Sequence, residues 1–566
     1  MSVNAALILV GGIIIYLLVY YFRVKKIDRD VMKCDPSRAT PAKVYMDGVE
    51  YFPTNKFVLF GFQFKSIAGL APVVGAITAA MLWGWLPALI WILVGNIFIG
   101  WVQDYFSCMV SLRNEGKSFG PLSYELISPR TRNILMIFLV FYLILIMAAF
   151  ASLAAGMLKA SVNSIIPTAT VLLAGVVVGL LIYKLKMNPF VGTAAGIVLI
   201  VAGVYAGASF PINAPGISIP VPSMADLSIQ WAQIAATDFW LIALLVLCLI
   251  AALTPIWRFT QPTIYMFFYV VFFGLIALVA SLIIGNPVYL RPDYTDFFAG
   301  LTGAAAMPLW PLLFVTIACG SVSGWHSLVS SSATSKQIEN EKDVAPVTAG
   351  SMLAEGVLAL LALSIVATLA VDDTKGLAAA AIFTKGASSL LGGSATAAGY
   401  VGLIFIALAL AVMMLVVRLG RLTINEIGGE KISFLNNKYL ASIIFLAVTF
   451  VLASPTFGGT WIYIWVLFGG SNQLMAGLSL MIITLWLLET KKGWMISGIP
   501  GVFMIITTIA ALGYASYQSL TKTPVAPGNI VAGAIGVVLI IAALIMCIDI
   551  YRAFKKRKTN TNPTGS

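Results

Sequence analysis

The chain reads as an all-α integral membrane protein of about 15 transmembrane helices, holding two inverted five-helix repeats with broken first helices, a LeuT-like plan. Three observations predict it. Hydrophobic residues make up 60% of the 566 residues and charged residues 10%, at a mean hydropathy of +0.98; a soluble domain carries roughly a quarter charged residues. Apolar runs long enough to cross a bilayer, about 20 residues each, recur along the whole chain. Two of those runs, around 66–75 and 318–332, are too rich in Gly, Ser and Pro to be ordinary helices. Irregular main chain survives in lipid only around a cavity or inside protein, and interrupted spans in both halves of a polytopic chain point to a substrate site.

Taken in order, the run at 3–22 lacks a basic n-region and a cleavage site, and reads as a retained helix. Residues 23–55 are basic and too few for an independent domain. Crossings follow at 65–83, 86–111, 133–159, 167–184 and 189–209, then at 238–257 and 263–285. The second series is 309–332, 346–370, 397–417, 439–455 and 461–488, with 496–516 and 528–552 closing the chain. The Pro-rich stretch 211–222 reads as extended cover and 382–391 as a short surface helix. Trp83, Trp85 and Trp91 suit an interfacial belt.

The positive-inside rule orients this series. With the N-terminus outside, the inside loops collect Arg23 to Lys56, Arg113, Lys117, Arg130, Arg132, Arg258, Lys336, Arg418, Arg421, Lys491 and the tail from Arg552. The outside keeps only Lys159, Arg291, Lys375, Lys385 and Lys522. The net charge of +12 is thereby explained by cytoplasmic loops, with no nucleic-acid partner, and the C-terminus is cytoplasmic. The resulting units are 1–62, a first repeat at 63–210, an insertion at 211–308, a second repeat at 309–490 and two closing helices at 491–566. The repeats are led by the broken spans and face opposite ways.

The landmarks Thr54-Asn55-Lys56 to Phe60-Gly61, Gly69 to Gly75, Val102-Gln103-Asp104-Tyr105-Phe106, Ile317-Ala318-Cys319-Gly320, Gly324-Trp325-His326-Ser327-Leu328, Met352-Leu353-Ala354-Glu355-Gly356 and Phe468-Gly469 to Asn472-Gln473-Leu474 occur in one order between roughly residues 50 and 490. In this the chain resembles the carbon starvation protein A family of bacterial and archaeal membrane proteins. The resemblance implies uptake of pyruvate or of peptides, and a fold similar to the amino-acid/polyamine/cation superfamily. One departure stands out. Where the family carries two adjacent histidines after Phe60-Gly61, this chain has Phe62-Gln63, with Lys65 close behind.

The residues themselves nominate a substrate site: Gly69, Pro72, Gly75, Gly320, Ser321, Ser323, Gly324, His326, Ser327, Asn472 and Gln473. Opened backbone at the breaks would present N–H groups to an anion and carbonyls to a cation; the competing reading of the small residues is close helix packing. His326, the single histidine, Glu355, Asp104 and Lys65 are the coupling candidates, because ionisable groups inside a membrane are costly and usually functional. The plainer readings are snorkelling for Lys65 and a pairing with Arg113 for Asp104. Asn472 and Gln473 suit either interhelical bonding or ligand contact, while Arg418 and Arg421 suit interfacial anchoring.

The sequence excludes several classes. It has no Walker loop, HExxH pair or GxSxG elbow, and its five cysteines have neither a disulfide framework nor metal-ligand spacing. One histidine excludes a multi-histidine haem or metal centre, so no cofactor, metal or enzyme activity is expected. The expected function is secondary active transport through the cell membrane of a small carboxylate such as pyruvate, with peptides as the alternative and H+ or Na+ as coupling ion. A membrane sensor of carbon status and a channel are the rivals from other classes.

Overall fold

The computed structural model describes residues 3–48, 50–213, 217–222, 229–234, 236–256, 258–300, 307–428, 433–455, 461–521 and 527–561. Among them the chain is almost wholly helical, with two short antiparallel pairs. Among the described residues twelve helices are long and apolar enough to cross a membrane, or up to 13 if the bent pair Lys56–Ile67 and Ala71–Trp83 counts as one span. Two of the fifteen expected crossings do not pass that test. One is cut into the helices Leu309–Thr316 and Gly324–Val329, and the other, Lys438–Ala453, is only 16 residues long.

The burial of these spans separates core from rim. The most apolar windows of Ala395–Ile427 and Trp465–Glu489 are 94% and 89% buried, against 28% for Ala5–Val31 and 33% for Ile530–Thr559. A helix apolar all round is either core or lipid-facing, and both kinds occur here. The broken parts of both spans are buried, with Ile67 to Ala80 and Ile317 to Val329 nearly free of exposure, while their outer ends at Phe57, Val58 and Trp310 are exposed.

Several expectations are revised. The first broken span begins at Lys56 rather than 65, so the boundary at 62/63 falls inside a helix. Asn55 caps it by accepting from the Phe57 N–H at 2.9 Å, which makes the apolar run after Lys56 helix rather than loop. The stretch 211–222 is partly sheet: Ile217–Pro222 pairs antiparallel with Ile229–Ile234. Trp83, Trp85 and Trp91 form no interfacial belt but are buried; Trp91 packs on Phe314 and Phe503. Arg418 and Arg421 donate to the carbonyls of Ala251, Thr254 and Ala252, closing the C-terminal end of Ala236–Leu253, where a cation also suits the helix dipole.

Loop contacts sort into two faces. On one, Ala5 N–H donates to the Pro287 carbonyl, and Arg291 donates to Val366 O and Thr374. On the other, Glu341 gathers distant segments. Its buried carboxylate accepts from Arg113 at 2.8 Å, Arg38 at 2.9 Å and the Asp35 N–H at 2.9 Å. Arg113 also donates to Met32 O, Lys492 to Val31 O, and Thr54 N–H to Gln337 O. The basic segment after the first helix is thus strapped across the start of the first broken span and the chain that leaves the second. Arg113→Ala should lower stability by about 3–5 kcal/mol, since it leaves a buried carboxylate short of a partner. Arg132→Ala, which removes an exposed pair with Glu426, should change it by about 0–1 kcal/mol. Thermal unfolding of the detergent-purified variants reads the difference, and equal shifts would show that Glu341 is no hub.

Candidate functional site

Each break leaves backbone groups without helical partners, and side chains from other elements take them up. In the first span the helix stops at Ile67 and resumes at Ala71, bent by 44°. Pro72 sits in the first turn of the second piece, where a missing N–H costs nothing. The Ala68 carbonyl accepts from Lys65 Nζ at 2.9 Å, and the Ser66 carbonyl from Trp325 Nε1 at 2.8 Å. Residues 317–323 of the second span are non-helical. Gln473 Nε2 lies within 3.0 Å of the Ala318 and Val322 carbonyls and 3.2 Å from Phe314 O. Gln103 Nε2 donates to Ser323 O at 2.6 Å and to Ser327 Oγ. Asn472 Oδ1 accepts from Trp325 N–H at 3.1 Å, Ser323 Oγ at 3.2 Å and Tyr142 OH at 2.5 Å. Asn472 and Gln473 therefore bind backbone and side chains of the break itself.

The two breaks also touch. A Cβ on Gly75 would strike the Thr316 carbonyl oxygen, and one on Gly320 would meet Ala359 and, at 3.3 Å, Pro72. Gly324 lies against the Asn472 carbonyl oxygen and Met475, and Gly69 against Phe150 and Val412. In this arrangement the glycines permit close approach of main chains. Ser321 Oγ turns back onto the Ile317 carbonyl at 2.9 Å. Gln63, where the resemblance leads to a histidine, donates to Ser330 Oγ at 2.9 Å and accepts from Thr334, joining the first span to the end of the second.

At the centre stands His326, fully buried. Its Nδ1 is 3.1 Å from Asp104 Oδ2 and its Nε2 3.0 Å from Glu355 Oε2. The second approach is a charge contact, and Nε2 and both Glu355 oxygens have no hydrogen-bond partner. Lys65 is 0% exposed and interacts electrostatically with Glu355. Two plain readings of the sequence are therefore overturned. Lys65 does not snorkel, because its helix begins at Lys56 and places it about two turns in. Asp104 does not pair with Arg113, which lies on Glu341 instead.

Sequence reasoning missed Gln103, Tyr142 and Cys319. Gln103 and Cys319 sat inside quoted landmarks, and a polar Gln beside Asp104 in an apolar run was the available signal. Nothing in the neighbourhood of Tyr142 marks it.

The family described as carbon starvation protein CstA matches residues 4–391 and 374–511, and the chain belongs to it. The pyruvate/proton symporter BtsT of Escherichia coli (strain K12) is 33% identical over 64% of this chain and 49% of its own length. The peptide transporter CstA of Campylobacter jejuni is 28% identical over 94% of this chain and 82% of its own. That of Bacillus subtilis (strain 168) is 27% identical over 96% of both. The chain thus spans about half the length of the first of these relatives. Among solved structures, a manganese transporter of Eremococcus coleocola aligns with a TM-score of 0.43 and 12% identity over 88% of this chain and 96% of that chain.

Removing the side chain that holds the second break should loosen it. Gln473→Ala leaves the Ala318 and Val322 carbonyls without that donor, at about 1–3 kcal/mol for each group left unsatisfied. Alkylation of the buried Cys319 by a small maleimide should then accelerate at least tenfold over the parent protein. An unchanged rate would show that Gln473 does not hold the break closed.

Proposed function

Starting from membership of that family, we propose that the chain is a secondary active transporter that takes up a small carboxylate such as pyruvate by ion symport across the cell membrane. The observation that carries this reading is the meeting of two broken spans around a buried, charged cluster. A membrane protein keeps irregular main chain and intramembrane charge together where something is bound and moved. Its named relatives, a pyruvate/proton symporter and peptide transporters, support the same class.

In this reading the substrate carboxylate meets the N-terminal turn at Gly69, Pro72 and Gly75, where the helix dipole favours negative charge. The facing wall is Gly320, Ser321, Ser323, Gly324, His326 and Ser327, with Asn472 and Gln473 behind it. All of these are buried in the present arrangement, so admission requires the two spans to part. Rocking of the unit 63–210 against 309–490, as inverted LeuT-like repeats, would do so alternately on each side. The concentration of basic loops on one face supports a cytoplasmic C-terminus and an outside N-terminus.

Charge counting supports the coupling role. Asp104 and Glu355 bring two negative charges and Lys65 one positive charge into a medium where unbalanced charge is costly. One further cation neutralises the group, and a proton shared by His326 and the carboxylates is our first choice, with sodium as the alternative. Peptide uptake is the second substrate reading, favoured by the names of the relatives that align over most of this chain. A sensor of carbon status is the reading from another class.

Uptake of labelled pyruvate into liposomes holding the purified protein, under an imposed proton gradient with alanyl peptides as competitors, tests this. Gradient-dependent accumulation that peptides leave untouched is the expected result. Strong inhibition by peptides would replace the substrate, and uptake driven only by sodium would replace the ion. No accumulation under either gradient would sink the transporter reading and leave the sensor. His326→Ala should abolish substrate-coupled proton movement; full coupling in that variant would remove His326 from the mechanism.

A further inference from the structure

The cluster at the second break has a composition that proton handling does not require. Cys319 Sγ, a ring nitrogen of His326 and a carboxylate oxygen of Glu355 all lie within 4.8 Å of one another, and all three residues are buried. We propose that Cys319, His326 and Glu355 form a binding site for a divalent transition-metal ion of the zinc class.

Thiolate, imidazole and carboxylate together suit zinc, cobalt(II) and cadmium, and not magnesium or calcium, which take oxygen ligands. Ligands at about 2.0–2.3 Å from a tetrahedral metal stand roughly 3.5 Å apart. The 3.0 Å between His326 Nε2 and Glu355 Oε2 is already close to that spacing. Three protein ligands leave a fourth position open.

Polar atoms at the same place lack hydrogen-bond partners. His326 Nε2 and both oxygens of Glu355 are buried and have no hydrogen-bond partner. A cation among these three side chains would give the nitrogen and the carboxylate oxygens a partner, beside a thiol that is otherwise in contact with Ser323 Oγ at 3.2 Å and Asn472 Nδ2 at 3.7 Å. Asp104 holds Nδ1 of the same ring, which leaves Nε2 as the coordinating nitrogen. A carboxylate behind a ligating histidine fixes its ring and tautomer, and losing such a partner typically costs about 10–100-fold in affinity.

The charges balance. Coordination replaces the thiol proton of Cys319, which is released. Asp104, Glu355 and the thiolate then contribute three negative charges, and Lys65 and the ion three positive ones. The ion would occupy the place of the coupling cation and fasten the second break to the Gly350–Ala367 helix that bears Glu355. Access for the ion to this buried point rests on the opening motion proposed above.

Cobalt(II) tests the proposal without depending on transport, because thiolate-to-cobalt charge transfer gives a near-ultraviolet absorption that only a sulfur ligand produces. The purified full-length protein, stripped with chelator, should bind one Co2+ with that absorption. It should lose the band in Cys319→Ala, keep it in Cys34→Ala, and bind 10–100-fold more weakly in Asp104→Asn. Absence of the band in the parent protein, or its persistence in Cys319→Ala, would overturn the site and leave only an ion-pair cluster. Zinc should inhibit uptake in the parent. Failed uptake with an intact cobalt spectrum would count against the transport reading alone, and normal uptake with no spectrum against the metal site alone.

Discussion

The rest of the structure depends on the hydrogen bonds that side chains make to broken main chain inside a membrane. Two spans stop being helical where no water is at hand, and each exposed carbonyl there must find a donor. Gln473, Gln103, Lys65 and Trp325 supply those donors, and Asn472 accepts from the restarted helix. They come from four different helical elements. The breaks can therefore exist only in the assembled bundle, and the polar residues around them are required by geometry before any ligand is considered.

This double duty ties packing to chemistry. Trp325, next to His326, reaches the first break, and Gln103, next to Asp104, holds the second. A shift of either span would move the charged cluster with it, because adjacent residues on the same helices carry both functions. Gly75 and Gly320 add a steric constraint, since the two breaks approach each other closely where a larger side chain has no space.

The membrane class and the positions of both breaks were legible because composition and helix-breaking residues are local signals. Depth was not. Lys56 and Lys65 at the two ends of an apolar stretch looked like loop and interface, yet an Asn cap at 55 makes the stretch a helix and carries Lys65 inward. Partners were not legible either: Asp104 and His326 are 222 positions apart, and Arg113, nearer to Asp104 in sequence, belongs to Glu341. Cys319 carried no metal-ligand spacing because its neighbours His326 and Glu355 are assembled by folding rather than by one motif. Trp83, Trp85 and Trp91 misled in the other direction, since aromatic residues near span ends also serve as core when the span is interior.

The buried Lys65 bears on how the protein is made. A lysine at the centre of a membrane span disfavours insertion by about 2.5–3.5 kcal/mol, and Lys65 stands within its span, in the last turn of Lys56–Ile67 beside the break. The carboxylate that answers its charge, Glu355, emerges from the ribosome about 290 residues later. During synthesis the Lys56–Ile67 helix sets that cost against its own apolar residues, among them Leu59, Phe60, Phe62 and Phe64. The helix gains its charged partner only when the second half of the chain arrives, so one side chain ties the placement of the earlier broken span to the later one.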